Sequence, residues 1–167
     1  MFGQIAPSKG HMEVLAALAA IKKEGKINYL PLHIVGPCDN RNYLIKLNQF
    51  IYQNDLKDWV TINSGFFNKV EVIPFFEVLI VASKSEAFGR VIVEANKAGL
   101  KVIVNNKGGS PELVNESNGL LYNNQYELES ILAGNKSLPV GEIRLNFNED
   151  RELEKLRPWL MRLQNGK

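Results

Sequence analysis

The chain is poor in the residues that mark metal centres, disulfide frameworks and nucleic-acid partners. It holds one cysteine, Cys38, and two histidines, His11 and His33, in 167 residues. A lone cysteine excludes an internal disulfide and fits a reducing compartment, so a cytoplasmic protein is expected. Neither histidine has companions at metal-ligand spacing, and no metal or cofactor is expected. The formal net charge is only +2 and is spread along the chain, which speaks against a nucleic-acid partner. No apolar run approaches the ~20 residues of a membrane-spanning helix, and no basic-then-apolar leader opens the sequence. No Gly-x-Gly-x-x-Gly follows any apolar run, which disfavours a dinucleotide-dependent dehydrogenase.

What is present reads as one ordinary globular core: 45% of the residues are hydrophobic and 23% charged. Short apolar runs alternate with helical patterns. That alternation predicts an α/β fold, a single Rossmann-like domain whose mostly parallel sheet is flanked by helices. Strands are predicted at Phe2–Ile5, Leu32–Val35, Val60–Ile62, Val78–Ala82 and Val102–Val104. The runs at 78–82 and 102–104 are continuously apolar, as strands buried on both faces are. Helices are predicted at His11–Lys23, with Val14, Leu15, Leu18 and Ile21 at helical spacing, and at Asn40–Gln53, with Tyr43, Leu44, Leu47 and Phe50 on one face. A third follows at Val91–Ala98, and a short one at Pro111–Val114 with Ser110 as its N-cap. Pro74 argues against one long helix over 68–76. The tail from Asn123 carries weaker signals, with a linker at Leu138–Gly141 and a charged helix at Asn148–Arg157.

The most informative stretch is Ser85-Glu86-Ala87-Phe88-Gly89-Arg90-Val91-Ile92-Val93-Glu94-Ala95. A buried strand leads into a tight turn and then a helix, with one acid in the turn and the other on the helix, eight positions on. Gly89 opens the helix, where a missing Cβ and free N–H groups suit an anion. Lys9, Gly36, Ser83–Gly89 and Gly108–Glu112 all follow predicted strands. In an open parallel sheet such loops gather at one edge, where ligands bind.

These residues resemble the E-x7-E region of retaining glycosyltransferases, especially glycosyltransferase family 4, which have the two-domain GT-B architecture. Further segments resemble that family in order: Phe2-Gly3-Gln4-Ile5-Ala6-Pro7-Ser8-Lys9-Gly10 its opening strand and Lys-Gly loop, and Leu32-His33-Ile34-Val35-Gly36 its next strand. Gly108-Gly109-Ser110-Pro111-Glu112 resembles its G-G-x-x-E turn, and Asn118-Gly119-Leu120-Leu121-Tyr122 a short strand after it. The resemblance spans residues 1–125 and maps to the second, donor-binding domain alone.

The resemblance implies transfer of a sugar from a nucleoside diphosphate to an acceptor, with retained anomeric configuration. It implies Glu94 on the ribose, Glu86 on the transferred sugar, and Lys9 with the Phe88–Gly89–Arg90 backbone on the diphosphate. Glu86 and Lys9 would serve catalysis; Gly108 and Gly109 would complete the donor site. No Asp-x-Asp pair of the kind metal-dependent transferases use occurs among Asp39, Asp55, Asp58 and Asp150. One departure stands out. Gln4 occupies the place of an arginine that the family uses on the diphosphate, with Arg90 near enough in sequence to compensate.

Residues 1–135 are expected to form the nucleotide-sugar domain and 136–167 a linker and helix packed on it. The chain is expected to begin inside the domain's first strand, with an acceptor-binding N-terminal domain as its missing partner and inactivity without it. Membrane contact is expected only for a lipid acceptor. Two other readings remain open: a non-catalytic nucleotide or nucleotide-sugar binding module, and an epimerase domain of GT-B type.

Overall fold

The computed structural model describes residues 1–26, 31–85 and 89–139. The tail helix expected over 148–157 lies outside these residues, as does most of the expected 136–167 unit. In chain order the elements are α1 (His11–Lys23), β1 (Leu32–Gly36), α2 (Arg41–Gln53), β2 (Val60–Ser64), α3 (Lys69–Val72), β3 (Val78–Val81), α4 (Arg90–Lys97), β4 (Lys101–Asn105), β5 (Gly119–Tyr122) and α5 (Gln125–Leu132). The fold is α/β with parallel strands throughout: β1 pairs with β2, and β3, β4 and β5 pair in that order. The expected strand over residues 2–5 is an extended segment on the far side of β1. Gly3 N–H donates to Val35 O (2.9 Å) and Ile5 N–H to Pro37 O (2.8 Å).

Strand alternation sends side chains to opposite faces. Ile80, Ala82, Ile103 and Tyr122 pack beneath Val14 and Ala17 of α1 and Leu128 and Ile131 of α5. Their sequence neighbours Leu79, Val81, Val102 and Val104 face the other way, against Ile92 and Ala95 of α4. Helices on both faces are why β3 and β4 read as unbroken apolar runs. A second face of α1 (Leu15, Leu18, Ala19, Ile21) packs with α2, Ile34 and Val60. So α1 touches both groups of strands.

The helix bounds follow from local chemistry. α1 ends in a left-handed residue, Gly25 (φ +68°), with Lys26 N–H bonded to Ile21 O and Gly25 N–H to Lys22 O. This pattern satisfies carbonyls that the helix end would leave unpaired. α2 ends in the same way at Asp55 (φ +52°), whose side chain pairs with Lys22 at 2.6 Å. Asn40, expected as the first helical residue, instead caps α2 by accepting from Tyr43 N–H (2.9 Å). As expected, no single helix spans 68–76: α3 ends ahead of Pro74, which sits in the 3-10 turn after it. Three further departures from expectation are local. Leu44 and Phe50 are only half-buried on α2, and Ile51 joins its core face instead. Ser110 does not cap: it lies inside a 3-10 turn (Ser110–Leu113) that Gly109 precedes, and its Oγ is buried without a protein partner. Finally, α5 occupies a region between the strand ending at Tyr122 and the linker at Leu138–Gly141 for which no element was predicted. Its N-cap, Asn124, accepts from Glu127 N–H (2.9 Å).

Candidate functional site

The carboxyl ends of the strands border a cleft of about 400 Å³. Its walls include Gln4, Lys9 and His11 from the first loop, Ala82 and Ser83 after β3, Gly89, Arg90 and Val91 at the start of α4, and Lys69 at the start of α3. Four residues predicted from the sequence therefore meet in one place: Gln4, Lys9, Gly89 and Arg90.

Two glycines make the convergence possible. Gly10 adopts φ +71°, and a Cβ on it would overlap the carbonyl and side chain of Ala82. Only glycine lets the Lys9 loop close directly on the end of β3. Gly89 adopts φ +63° as N-cap of α4, and a Cβ there would lie 2.9 Å from Ser110 Oγ and 3.0 Å from Ile92 Cδ1. The loop after β3 thus rests on the turn after β4. Glu13 of α1 adds an ion pair with Lys84 (3.8 Å), a second tie between α1 and the loop after β3.

The predicted residues fall into three groups. Gln4, Lys9, Gly89 and Arg90 line the cleft. Gly108 and Gly109 are not part of its lining; the turn that follows them meets Gly89 through Ser110 and Leu113. Glu86 and Phe88 lie outside the described residues. Glu94 sits on α4, just beyond the lining, and its carboxylate is engaged. Lys69 Nζ donates to Glu94 Oε2 at 3.1 Å and to Oε1 at 3.5 Å, and both side chains stay about two-fifths exposed. The Arg90–Glu94 pairing that their four-residue spacing allows is replaced by this longer-range pair. Gln4 turns the other way, its Nε2 donating to Asp39 Oδ2 at 3.3 Å.

Sequence reasoning missed Lys69. The available signal was Asn68-Lys69-Val70-Glu71, a capping-box pattern that starts a helix directly after β2. Asn68 does cap α3, accepting from Val70 N–H (3.2 Å) while its own amide donates to Glu71 (2.7 Å). His11 is a second addition. It is 3% exposed, and its Nδ1 lies 3.2 Å from Ala6 O. Burial pushes its pKa down to about 4; the Ala6 carbonyl opposes that shift and the Lys9 charge adds to it. The imidazole is therefore neutral at pH 7 and sets the shape of the loop without adding charge. Among the described residues no three of His, Cys, Asp or Glu gather as metal ligands. None of the described helices is long and apolar enough to cross a membrane.

The cleft is thus a basic pocket: Lys9, Lys69 and Arg90 surround a helix N-terminus, where backbone N–H groups favour an anion. Known proteins share this arrangement of strands and helices. The Anabaena protein Alr3699/HepE, whose crystal structures hold UDP, UDP with glucose, or UDP-glucose, is 27% identical, with a TM-score of 0.68 for the complex with UDP and glucose. That match covers 79% of this chain and 37% of the Anabaena chain, so this chain spans about 37% of that protein's length. The C-terminal domain of the group 1 glycosyl transferase LpcC from Francisella tularensis is 26% identical (TM-score 0.64), with 78% of this chain and 70% of that domain covered. A glycosyltransferase from Rickettsia africae is 19% identical over 99% of this chain and 48% of its own, and shares the fold (TM-score 0.64). Comparison with curated protein sequences finds no match. A model of the glycosyl transferases group 1 family matches residues 1–138, and the chain belongs to that family.

Proposed function

We propose that this chain is the donor-binding domain of a retaining glycosyltransferase and that its cleft takes a nucleoside-diphosphate sugar. The observation that carries the reading is the meeting of Lys9, Lys69 and Arg90 with the Gly89 helix start at the carboxyl ends of the strands. A diphosphate gathers negative charge as its bond to the anomeric carbon breaks and it takes the electron pair. Fixed cations and N–H dipoles aimed at that charge lower the barrier. The UDP and UDP-glucose complexes of the Anabaena relative support a uridine donor.

In this reading Glu94 accepts from the ribose hydroxyls, Glu86 from the hydroxyls of the transferred sugar, and Phe88–Arg90 hold the diphosphate with Lys9. Gly108 and Gly109 shape the turn that supports Gly89. The acceptor is carried by a partner domain, and closure between the two domains excludes water from the reaction. One observation favours the non-catalytic alternative. Gln4 adds no charge to the cleft, and its amide is bonded to Asp39.

Calorimetric titration with UDP, GDP, ADP and their sugar conjugates tests the reading. Saturable binding to one base is expected. Glu94→Ala should lower affinity for the nucleoside diphosphate and for the sugar donor alike, by about tenfold, as expected for lost hydrogen bonds to a charged group. Unchanged binding in that variant would remove the ribose role of Glu94.

A further inference from the structure

We infer that Lys69 is a diphosphate-binding residue of this chain, held ready by Glu94 and supplying the charge that Gln4 does not. The inference rests on the donor-site reading above and deepens it.

Lys69 is the first residue of α3, in the segment that follows the carboxyl end of β2. Asn68 fixes that helix start through its bonds to Val70 N–H and to Glu71. The side chain lines the same cleft as Gln4, Lys9, Gly89 and Arg90. Its ammonium reaches both oxygens of Glu94, 25 positions away in sequence. An ion pair this exposed holds weakly, so the ammonium can lean toward a diphosphate while staying beside Glu94. A lysine suits that movement, being a point charge on a flexible stem.

The charges also require it. Glu94 stands beside a pocket built for an anion, and a bare carboxylate there repels a diphosphate. Lys69 cancels that repulsion while leaving carboxylate lone pairs open to hydroxyl donors. The position that resemblance assigns to an arginine holds Gln4, which bonds to Asp39. The cationic side of the cleft is therefore built from Lys9, Arg90 and Lys69.

The test compares the parent chain, Lys69→Met and Lys69→Arg. Each is titrated with whichever of UDP, GDP or ADP the parent binds, and with the matching nucleoside, followed by NMR shifts at millimolar concentration. Urea midpoints confirm that each variant folds. Lys69→Met should weaken the diphosphate at least tenfold, change the nucleoside less than twofold and flatten the salt dependence of diphosphate binding. Lys69→Arg should restore most of the affinity. Unchanged diphosphate affinity in Lys69→Met overturns the inference and leaves the donor reading standing. An equal loss for diphosphate and nucleoside overturns it too, because Lys69 would then act only by positioning Glu94. If the parent binds none of the three diphosphates, the donor reading falls and the inference falls with it.

Discussion

The two groups of strands are both parallel, yet they are covered differently. In the β3–β4–β5 group, Leu79–Val81 and Val102–Asn105 are buried, with α1 and α5 on one face and α4 on the other. In the β1–β2 pair, Ile34–Gly36 of β1 are buried as well, but of β2 only Val60 is; Thr61, Ile62 and Asn63 are half-exposed and Ser64 is exposed. The strand groups also supply different parts of the cleft. The three-stranded group provides its floor, Ala82, Ser83 and Gly89. The two-stranded pair leads into the segment that carries Lys69 on a four-residue helix. Between them run α1 and residues 1–10. The difference teaches that the site is a seam: its backbone floor comes from the better-packed group and the Lys69 charge from the other.

Tightening or loosening that seam should have the largest effect. Gly10→Ala places a Cβ against the Ala82 backbone at positive φ, and neither strand nor helix can yield. A loss of about 4 kcal/mol is expected from strain and overpacking together. Gly25→Ala is the control: it has the same sign of φ, but its Cβ meets nothing within 4 Å, so about 1 kcal/mol is expected. Urea midpoints measure both, and equal losses would show that the seam is not tight.

Acid probes the same place. Unfolded, His11 protonates near its ordinary 6.5; folded, it does so only near 4. Between those values the unfolded chain binds more protons, so stability that is full above pH 6.5 is lost as pH falls toward 4. The ceiling is about 3 kcal/mol. The pKa of His33 is also lowered by burial, which acts in the same direction. His11→Asn should lose less than the parent between pH 7.5 and 4.5, and an equal loss in both would remove His11 from the account. The smallest effect is the contrast between strand groups. Ile103→Ala, at a site 3% exposed, should cost about 3 kcal/mol and Ile62→Ala about 1 kcal/mol, a difference of about 2. Equal costs would mean that β2 is covered as well as β4.

Much of this was legible in one dimension. The bounds of α1 are those its apolar spacing and Gly25 dictate, and the two continuous apolar runs are the two strands with helices on both faces. Gln4, Lys9, Gly89 and Arg90 could be placed in one cleft because parallel strand order brings the loops after each strand to the same edge. α5 went unread although Asn124 and Glu127 carry the same cap signal as Asn68 and Glu71: α4 is equally short, but it was marked by the Ser85–Ala95 stretch that leads into it, and α5 follows no such motif. Phe66 is 91% exposed: an aromatic residue announces apolar area but not which side of a turn it will occupy.

The sequence by itself determined the α/β order, the parallel strands, the ends of the main helices and the edge at which chemistry gathers. These depend on neighbours a few positions apart and on handedness rules that hold for any such chain. Only the tertiary structure decided that Glu94 pairs with Lys69 rather than Arg90, that Gln4 turns to Asp39, and that Ser110 faces Gly89 instead of capping a helix. Each of those contacts joins residues from separate elements or fixes the direction of one side chain, and local periodicity carries no information about either.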